Sequence, residues 1–286
     1  MIPPQFDYVR PRTVDEAVGI LGENDNAKIL AGGQSLLPIL RLRLAYPDVV
    51  VDLNRVAGLH GVRDEGDHLV IGAMTTHYEV ICSELVRRHC GLLAEATATV
   101  ADPQVRHRGT FGGALSHADP AGDLPAVALA FGTTMVVAGP AGRRAVPASE
   151  FFADYLQTAL EPAEVLVEVQ VPKLGAGSGW GYRYEKFQRV AQAWAIVGVA
   201  ALVRRSDGVI EQARVGLTNM GATPVRATAT EAALNNAQAR AGAVDEAAGL
   251  AAEGTSPASD LSGQAGYRQH LARVLTRRAV MAAAGM

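Results

Sequence analysis

The 286-residue sequence predicts an α+β chain built from three units of unequal size. Three observations point there. Up to about residue 172, short apolar runs of strand length alternate with amphipathic helical stretches. Pro172 and the glycine-rich "GAGSGWG" (175–181) then break the pattern as a linker would. Beyond them, three long strand-like runs lead into a helical tail.

The first unit covers residues 1–55. In "TVDEAVGILG", Thr13 is a natural N-cap, and Asp15 and Glu16 complement the helix dipole in the first turn. Val14, Ala17, Val18 and Leu21 fall on one face. "AKIL" (27–30) reads as a short buried strand that ends at a glycine pair, "AGGQSLLP" (31–38). "LLPILRLRLA" follows as helix and "DVVVDL" (48–53) as strand. The second unit, 56–174, opens with a hairpin whose turn is Glu65-Gly66-Asp67. A long helical stretch, "TTHYEVICSELVRRHCGLLAEATATVA", starts at a capping Thr76. It leads to a second glycine pair in "GTFGGALSHADPAGDLPA" (109–126), and then to "LPAVALAFG", "TTMVVAG" and "EVLVEVQVP". The third unit, 175–286, holds "GYRYEKFQ", "AIVGVAALVRR" and "QARVGLTNMG" as antiparallel strands. Helices are expected at roughly 228–239, 243–253 and "YRQHLARVLTRRAVMAA", where Leu271, Val274, Leu275 and Ala279 share a face.

Composition narrows the function. A net charge of −3 provides no field that favours nucleic acid. The longest apolar run, "AWAIVGVAALV" (193–203), is too short to span a bilayer, and the start lacks the pattern of a secretion signal, so a cytoplasmic location is expected. Cys82 and Cys90 are the only cysteines; the chain cannot by itself hold an iron–sulfur cluster or a cysteine-type zinc site. Beside His77 and His89 the two thiols fit no ligand spacing, and two buried thiols on an amphipathic helix are the simpler reading. No metal site is expected. No acid–base dyad or nucleophile stands out, so no catalytic residue is assigned.

The two glycine pairs carry the chemistry. Glycine admits positive φ and close backbone approach, and successive amides in such turns form anion-binding nests. Either loop alone reads more readily as an ordinary tight turn. Two together, with the hydroxyls of Ser35 and Thr110 beside them, suit the diphosphate of a dinucleotide. The Rossmann alternative fails because "GAGSGWG" places Trp180 where the third glycine belongs, ahead of a strand rather than a helix. No GxxxxGK[ST] sequence occurs.

"AGGQSLLP" and "TFGGALSHADPAGDLPA", in that order, resemble the paired signature of the FAD-binding medium subunits of molybdenum hydroxylases, the xanthine dehydrogenase family. The likeness extends through "VADPQVRHRGTFGG", "LEPAEVLVEVQVP", "YEKFQRVAQAWAIVGVA" and "VGLTNMGATP" over nearly the whole chain. It implies a two-part FAD-binding domain similar to that of the vanillyl-alcohol-oxidase flavoproteins, then a C-terminal antiparallel sheet with helices. It also implies FAD as cofactor, held at the diphosphate by Ala31, Gly32, Gly33, Gln34 and Ser35 with Leu36 at the edge, and by Thr110, Gly112, Gly113 and Ala114. Asp123 matches an acid that reaches the cofactor's sugar hydroxyls, or caps the helix that follows it, or both. Leu166 matches an apolar residue near the flavin, Lys186 a cation near the ring, and Trp194 an aromatic beside it. Gln34 stands where some members carry His, and Ala114 where Asn is common. The implied partners are a small [2Fe–2S] subunit and a large molybdopterin subunit, assembled as a dimer of heterotrimers. The implied electron acceptor is a quinone or another external molecule. The motifs that discriminate among members of the family lie on the large subunit and are not in this sequence, and a stand-alone flavin oxidase remains the reading of another class.

Overall fold

The computed structural model describes residues 2–175 and 179–286; Ala176, Gly177 and Ser178 of the expected linker lie outside the described residues. The amino-terminal sheet is parallel, with Val49–Asp52 at its centre between Asp7–Val9 and Ala27–Leu30. The helix Val14–Glu23 is capped as the sequence indicates, the Glu16 amide donating to Thr13 Oγ1 at 3.1 Å. It buries Ala17, Val18 and Leu21 against the sheet. Asp7–Val9 escapes a sequence reading because it is short and mostly exposed, with no apolar alternation. Pairing with Val49–Val51 makes it a strand.

A five-stranded antiparallel sheet follows, ordered Val62–Asp64, His68–Gly72, Val165–Pro172, Thr134–Gly139, Gly142–Pro147. The expected hairpin is present, with Gly66 at φ +83° in its turn. The long helical stretch is broken into His77–Cys82, Glu84–His89 and Gly91–Ala98. Ser83 is extended and caps the second helix, and Cys90 leaves helical geometry before the third. Gly91 opens the third helix where the Tyr182 ring packs closely, a Cβ there lying 2.2 Å from the Tyr182 hydroxyl. Of the two thiols expected to be buried, Cys82 is exposed. Only Cys90 is inside, and burial pushes its thiol up to about 12. Among the described residues no group of three or more His, Cys, Asp or Glu is placed to hold a metal ion.

The carboxy-terminal sheet pairs Trp180–Phe187, Val197–Ser206 and Val209–Thr218 antiparallel, with Val225–Arg226 at one edge. Its central strand is apolar on both faces, and alternate residues serve different cores. Ala200 and Leu202 pack into the core of the five-stranded unit, while Val199, Ala201 and Val203 face the helix Ala265–Ala283. That helix buries Leu271, Leu275 and Ala279, as its periodicity predicts. The expected helix over 228–239 ends at Leu234, because Asn236 turns at φ +63° and Ala237–Gln238 joins the sheet edge. No helix among the described residues is long and apolar enough to cross a membrane.

Candidate functional site

The strand Ala27–Leu30 delivers the first glycine pair at the carboxyl edge of the parallel sheet, where open sheets place ligands. The second pair opens the helix Phe111–His117, whose N-cap is Thr110. The two pairs meet. A Cβ built on Gly32 would sit 2.1 Å from the Arg108 carbonyl oxygen and 2.7 Å from Gly109 Cα. One on Gly113 would touch Ala31 Cβ at 3.5 Å. Gly33 adopts φ +76°, which favours glycine.

The loops use their amides differently. Among the described residues, the backbone N–H groups of Gly32, Gly33, Gln34 and Ser35 have no protein acceptor. The Gln34 side chain folds back to donate to the Gly32 carbonyl at 3.2 Å. In the second loop, Phe111 N donates to Thr75 O and Gly112 N to Ala73 O, both at 2.9 Å. Gly113 N donates to Thr110 Oγ1 at 3.1 Å. The expectation that both glycine pairs free their amides therefore holds for the first pair alone. Gly112 is glycine for packing, because its Cβ would lie 2.5 Å from that of Ala73.

Between the loops lies a cavity of about 670 Å³, a size typical of cofactor sites. All fourteen residues singled out from the sequence line it: Ala31, Gly32, Gly33, Gln34, Ser35 and Leu36 from the first loop; Thr110, Gly112, Gly113 and Ala114 from the second; and Asp123, Leu166, Lys186 and Trp194. Leu166 is buried in the central strand of the five-stranded sheet, beside a bulge at Leu166/Glu168. Trp194 lies outside regular structure, 56% exposed at the wall beside Gln192 and Ala193.

Asp123 is not the helix cap. Gly122 holds that position and Asp123 begins the helix Asp123–Phe131 with its side chain turned to other partners. Its Oδ2 accepts from Lys186 Nζ at 2.8 Å and its Oδ1 from the Tyr184 hydroxyl at 2.6 Å. Lys186 Nζ also donates to the Thr99 carbonyl at 3.0 Å. Both charged side chains of the pair are almost wholly buried. Burial pushes the Asp123 carboxyl above its usual range, against the pull of Lys186 and Tyr184. The Tyr184 phenol is driven well up by burial and by Asp123. Lys186 therefore reaches the cavity as half of a compensated ion pair rather than as a free cation.

Sequence reasoning missed several wall residues. His77 packs its ring on Gly109, and burial lowers its imidazole to about 4, so it is neutral at ordinary pH. Lys28, Leu156, Leu160 and Pro162 complete another part of the wall, and nothing in their local sequence marks them. His117, on the second glycine motif, lines the cavity 3.9 Å from Asp119. Arg106 turns away from it, donating to the Val100 carbonyl at 2.7 Å.

Residues 4–174 match the model of the FAD binding domain in molybdopterin dehydrogenase. The chain belongs to that family. Residues 182–283 match the CO dehydrogenase flavoprotein C-terminal domain. The carbon monoxide dehydrogenase medium chain of Hydrogenophaga pseudoflava is 43% identical over 284 residues, covering 99% of this chain and 98% of the relative. The solved carbon monoxide dehydrogenase of that organism, in a form lacking the Mo-pyranopterin moiety, superimposes with a TM-score of 0.96 at 46% identity, over 99% of this chain and 98% of the other. Quinoline 2-oxidoreductase from Pseudomonas putida 86 matches with a TM-score of 0.95 at 34% identity, over 100% and 99%. The two-part FAD-binding domain followed by an antiparallel sheet with helices is thus the family fold. Its cofactor is FAD. The cavity suits that cofactor: a run of unpaired amides borders a space of dinucleotide size, and an indole and a paired lysine also line it.

Proposed function

We propose that this chain is the FAD-carrying, electron-transferring medium subunit of a molybdenum hydroxylase of the aerobic carbon monoxide dehydrogenase type. The observation that carries the reading is end-to-end similarity to such a medium chain, joined to a cavity lined by every residue the signature selects. With two cysteines in the sequence, the [2Fe–2S] clusters would reside on another chain, and the family resemblance supplies a small subunit for them and a large one for the molybdopterin. The complex would be a dimer of heterotrimers in the cytoplasm, meeting the inner face of the membrane through acceptor proteins. The chain divides into units at 1–55, 56–174 and 175–286, a reading supported by the three main sheets.

Bound FAD supplies the conversion between single-electron and paired-electron transfer. The protein's part is to hold and to tune. The free amides of Gly32, Gly33, Gln34 and Ser35 would face the diphosphate, with Leu36 beside them. Thr110, Gly112, Gly113 and Ala114 would shape the opposite wall without spending donors on it. Asp123 and Lys186 would present a neutral pair toward the sugar and ring, while Leu166 and Trp194 would exclude water from the flavin. From this chain electrons would pass to a quinone or another external acceptor.

A second reading rests on the equally complete match to quinoline 2-oxidoreductase: the medium subunit of an N-heterocycle hydroxylase. The complex purified with its partner chains decides between them. Carbon monoxide is expected to bleach the flavin band under anaerobic conditions. Bleaching by quinoline or nicotine alone supports the second reading. Bleaching by a small alcohol in the isolated chain would indicate a stand-alone oxidase, and a colourless preparation would remove the redox role.

A further inference from the structure

The first loop is gripped from behind by residues that do not line the cavity. The Asn54 side-chain amide donates to the Ala31 carbonyl at 3.2 Å and to Asp52 Oδ1 at 2.6 Å. Both partners can only accept, so the Asn54 NH₂ group must face them. Asp52 Oδ1 also accepts from the Asn54 backbone N–H at 2.9 Å, and Asp52 Oδ2 accepts from the Tyr8 hydroxyl. Arg10 Nε stands 3.4 Å from the same oxygen. The carboxylate is buried at the carboxyl end of the central parallel strand. Burial works against its charge, but the bonds from Tyr8 and Asn54 and the nearby Arg10 outweigh burial and hold its pKa below the usual range.

This chain of contacts ends on one particular peptide unit. The Ala31 carbonyl and the Gly32 N–H belong to the same planar trans peptide and point in opposite directions. Fixing the carbonyl toward Asn54 fixes the Gly32 amide away from it, and that amide begins the run with no protein acceptor. On the other side of Gly32, the Arg108 carbonyl fills the place of a Cβ, so the unit cannot rotate freely. We propose that Asn54, oriented by Asp52 and Tyr8, is a positioning residue that aims the first-loop amides at the cofactor's diphosphate. The inference rests on the reading that this loop holds the diphosphate.

The test uses the full-length chain, stripped of flavin and titrated with FAD, with Gly32→Ala as a comparator inside the loop. Loss of one neutral hydrogen bond should weaken FAD binding by about three- to tenfold. Asn54→Leu is expected at the upper end and Tyr8→Phe at the lower. At saturating FAD, Asn54→Leu should shift the ³¹P resonances of the bound diphosphate while leaving the flavin's visible band unchanged, a signature that general loosening of the fold would not produce. Wild-type affinity and unshifted ³¹P resonances in Asn54→Leu, alongside weakened binding in Gly32→Ala, overturn the brace and leave the loop assignment standing. If both variants bind FAD like the wild type, the loop assignment falls and the brace with it. Should Asn54→Leu fail to fold, Tyr8→Phe carries the same test, because its ring is half exposed; wild-type affinity there with an unshifted ³¹P spectrum also overturns the proposal.

Discussion

Replacing Lys186 with Met removes the cation from a buried pair whose geometry fixes the size and pH dependence of the loss. Lys186 Nζ lies 2.8 Å from Asp123 Oδ2, and the two side chains are 5% and 3% exposed. Breaking such a pair from one side costs about 3–5 kcal/mol. Protonation sets the ceiling. From the ordinary value of 3.8, neutralising a carboxyl at pH 7 costs about 4 kcal/mol, and at pH 5 under about 2 kcal/mol. The sign follows. In the variant the native Asp123 holds a proton that the unfolded chain has lost, so the native state is favoured at low pH and loses ground as pH rises. Urea unfolding of the flavin-free chain between pH 5 and 8 avoids any contribution from cofactor binding. Lys186→Met should fall about 3–4 kcal/mol below the wild type at pH 7 and recover more than half of that deficit at pH 5. Combining Asp123→Asn with Lys186→Met should restore most of the stability and flatten the pH dependence. A single variant within about 0.5 kcal/mol of wild type at pH 7, or an equal deficit at both pH values, would refute the reasoning.

His77 gives a second pH effect, with the opposite slope. Its imidazole is lowered from 6.5 to about 4 by burial, so the unfolded chain binds the proton first and about 3 kcal/mol of stability is lost as pH falls through that window. His77→Gln should remove that slope in acid denaturation curves; an unchanged difference between pH 6.5 and 4 would mean that the ring is not buried neutral. Trp194 is 56% exposed, so Trp194→Ala should change stability by no more than about 0.5 kcal/mol. The same variant should raise flavin fluorescence, as loss of an aromatic neighbour requires, and unaltered emission would place the indole away from the ring.

The strands around the first loop are legible because their apolar residues are local and periodic: Ala27–Leu30 and the helix Val14–Glu23 fall where the sequence puts them. Both glycine pairs are legible as sites of close approach, but what approaches Gly32 and Gly112 is the protein itself. No pattern within either loop distinguishes a neighbouring carbonyl from a ligand. The Asp123–Lys186 pair spans 63 residues and the Asn54–Ala31 contact 23, and the latter ends on a backbone atom. Such contacts are made by tertiary register and leave no local signal. The break at Ser83 is different: serine is a preferred N-cap and Glu84 follows it in the first turn, so a local signal is present beneath the continuous helical pattern.

On the proposed reading, the charge of the wall explains why the first loop's amides would carry so much of the site. Lysines at 28 and 186 face three carboxylates there, at 119, 123 and 161, and Lys186 is already matched by Asp123. Among the described residues of the wall, a diphosphate entering this cavity would meet no arginine fork and no surplus of positive side chains. On that reading its attraction would come from oriented N–H dipoles, since neighbouring acids deny the site a net positive charge. Dipoles work only when aimed, because a peptide unit that rotates loses both distance and direction to the anion. On the proposed reading, that requirement would account for both devices at Gly32: the Arg108 carbonyl against its Cα on one side, and the Asn54 amide on the Ala31 carbonyl on the other. The glycine pair therefore serves a rigid arrangement. Its missing side chains let protein close in around the peptide, and closure holds the amides in place.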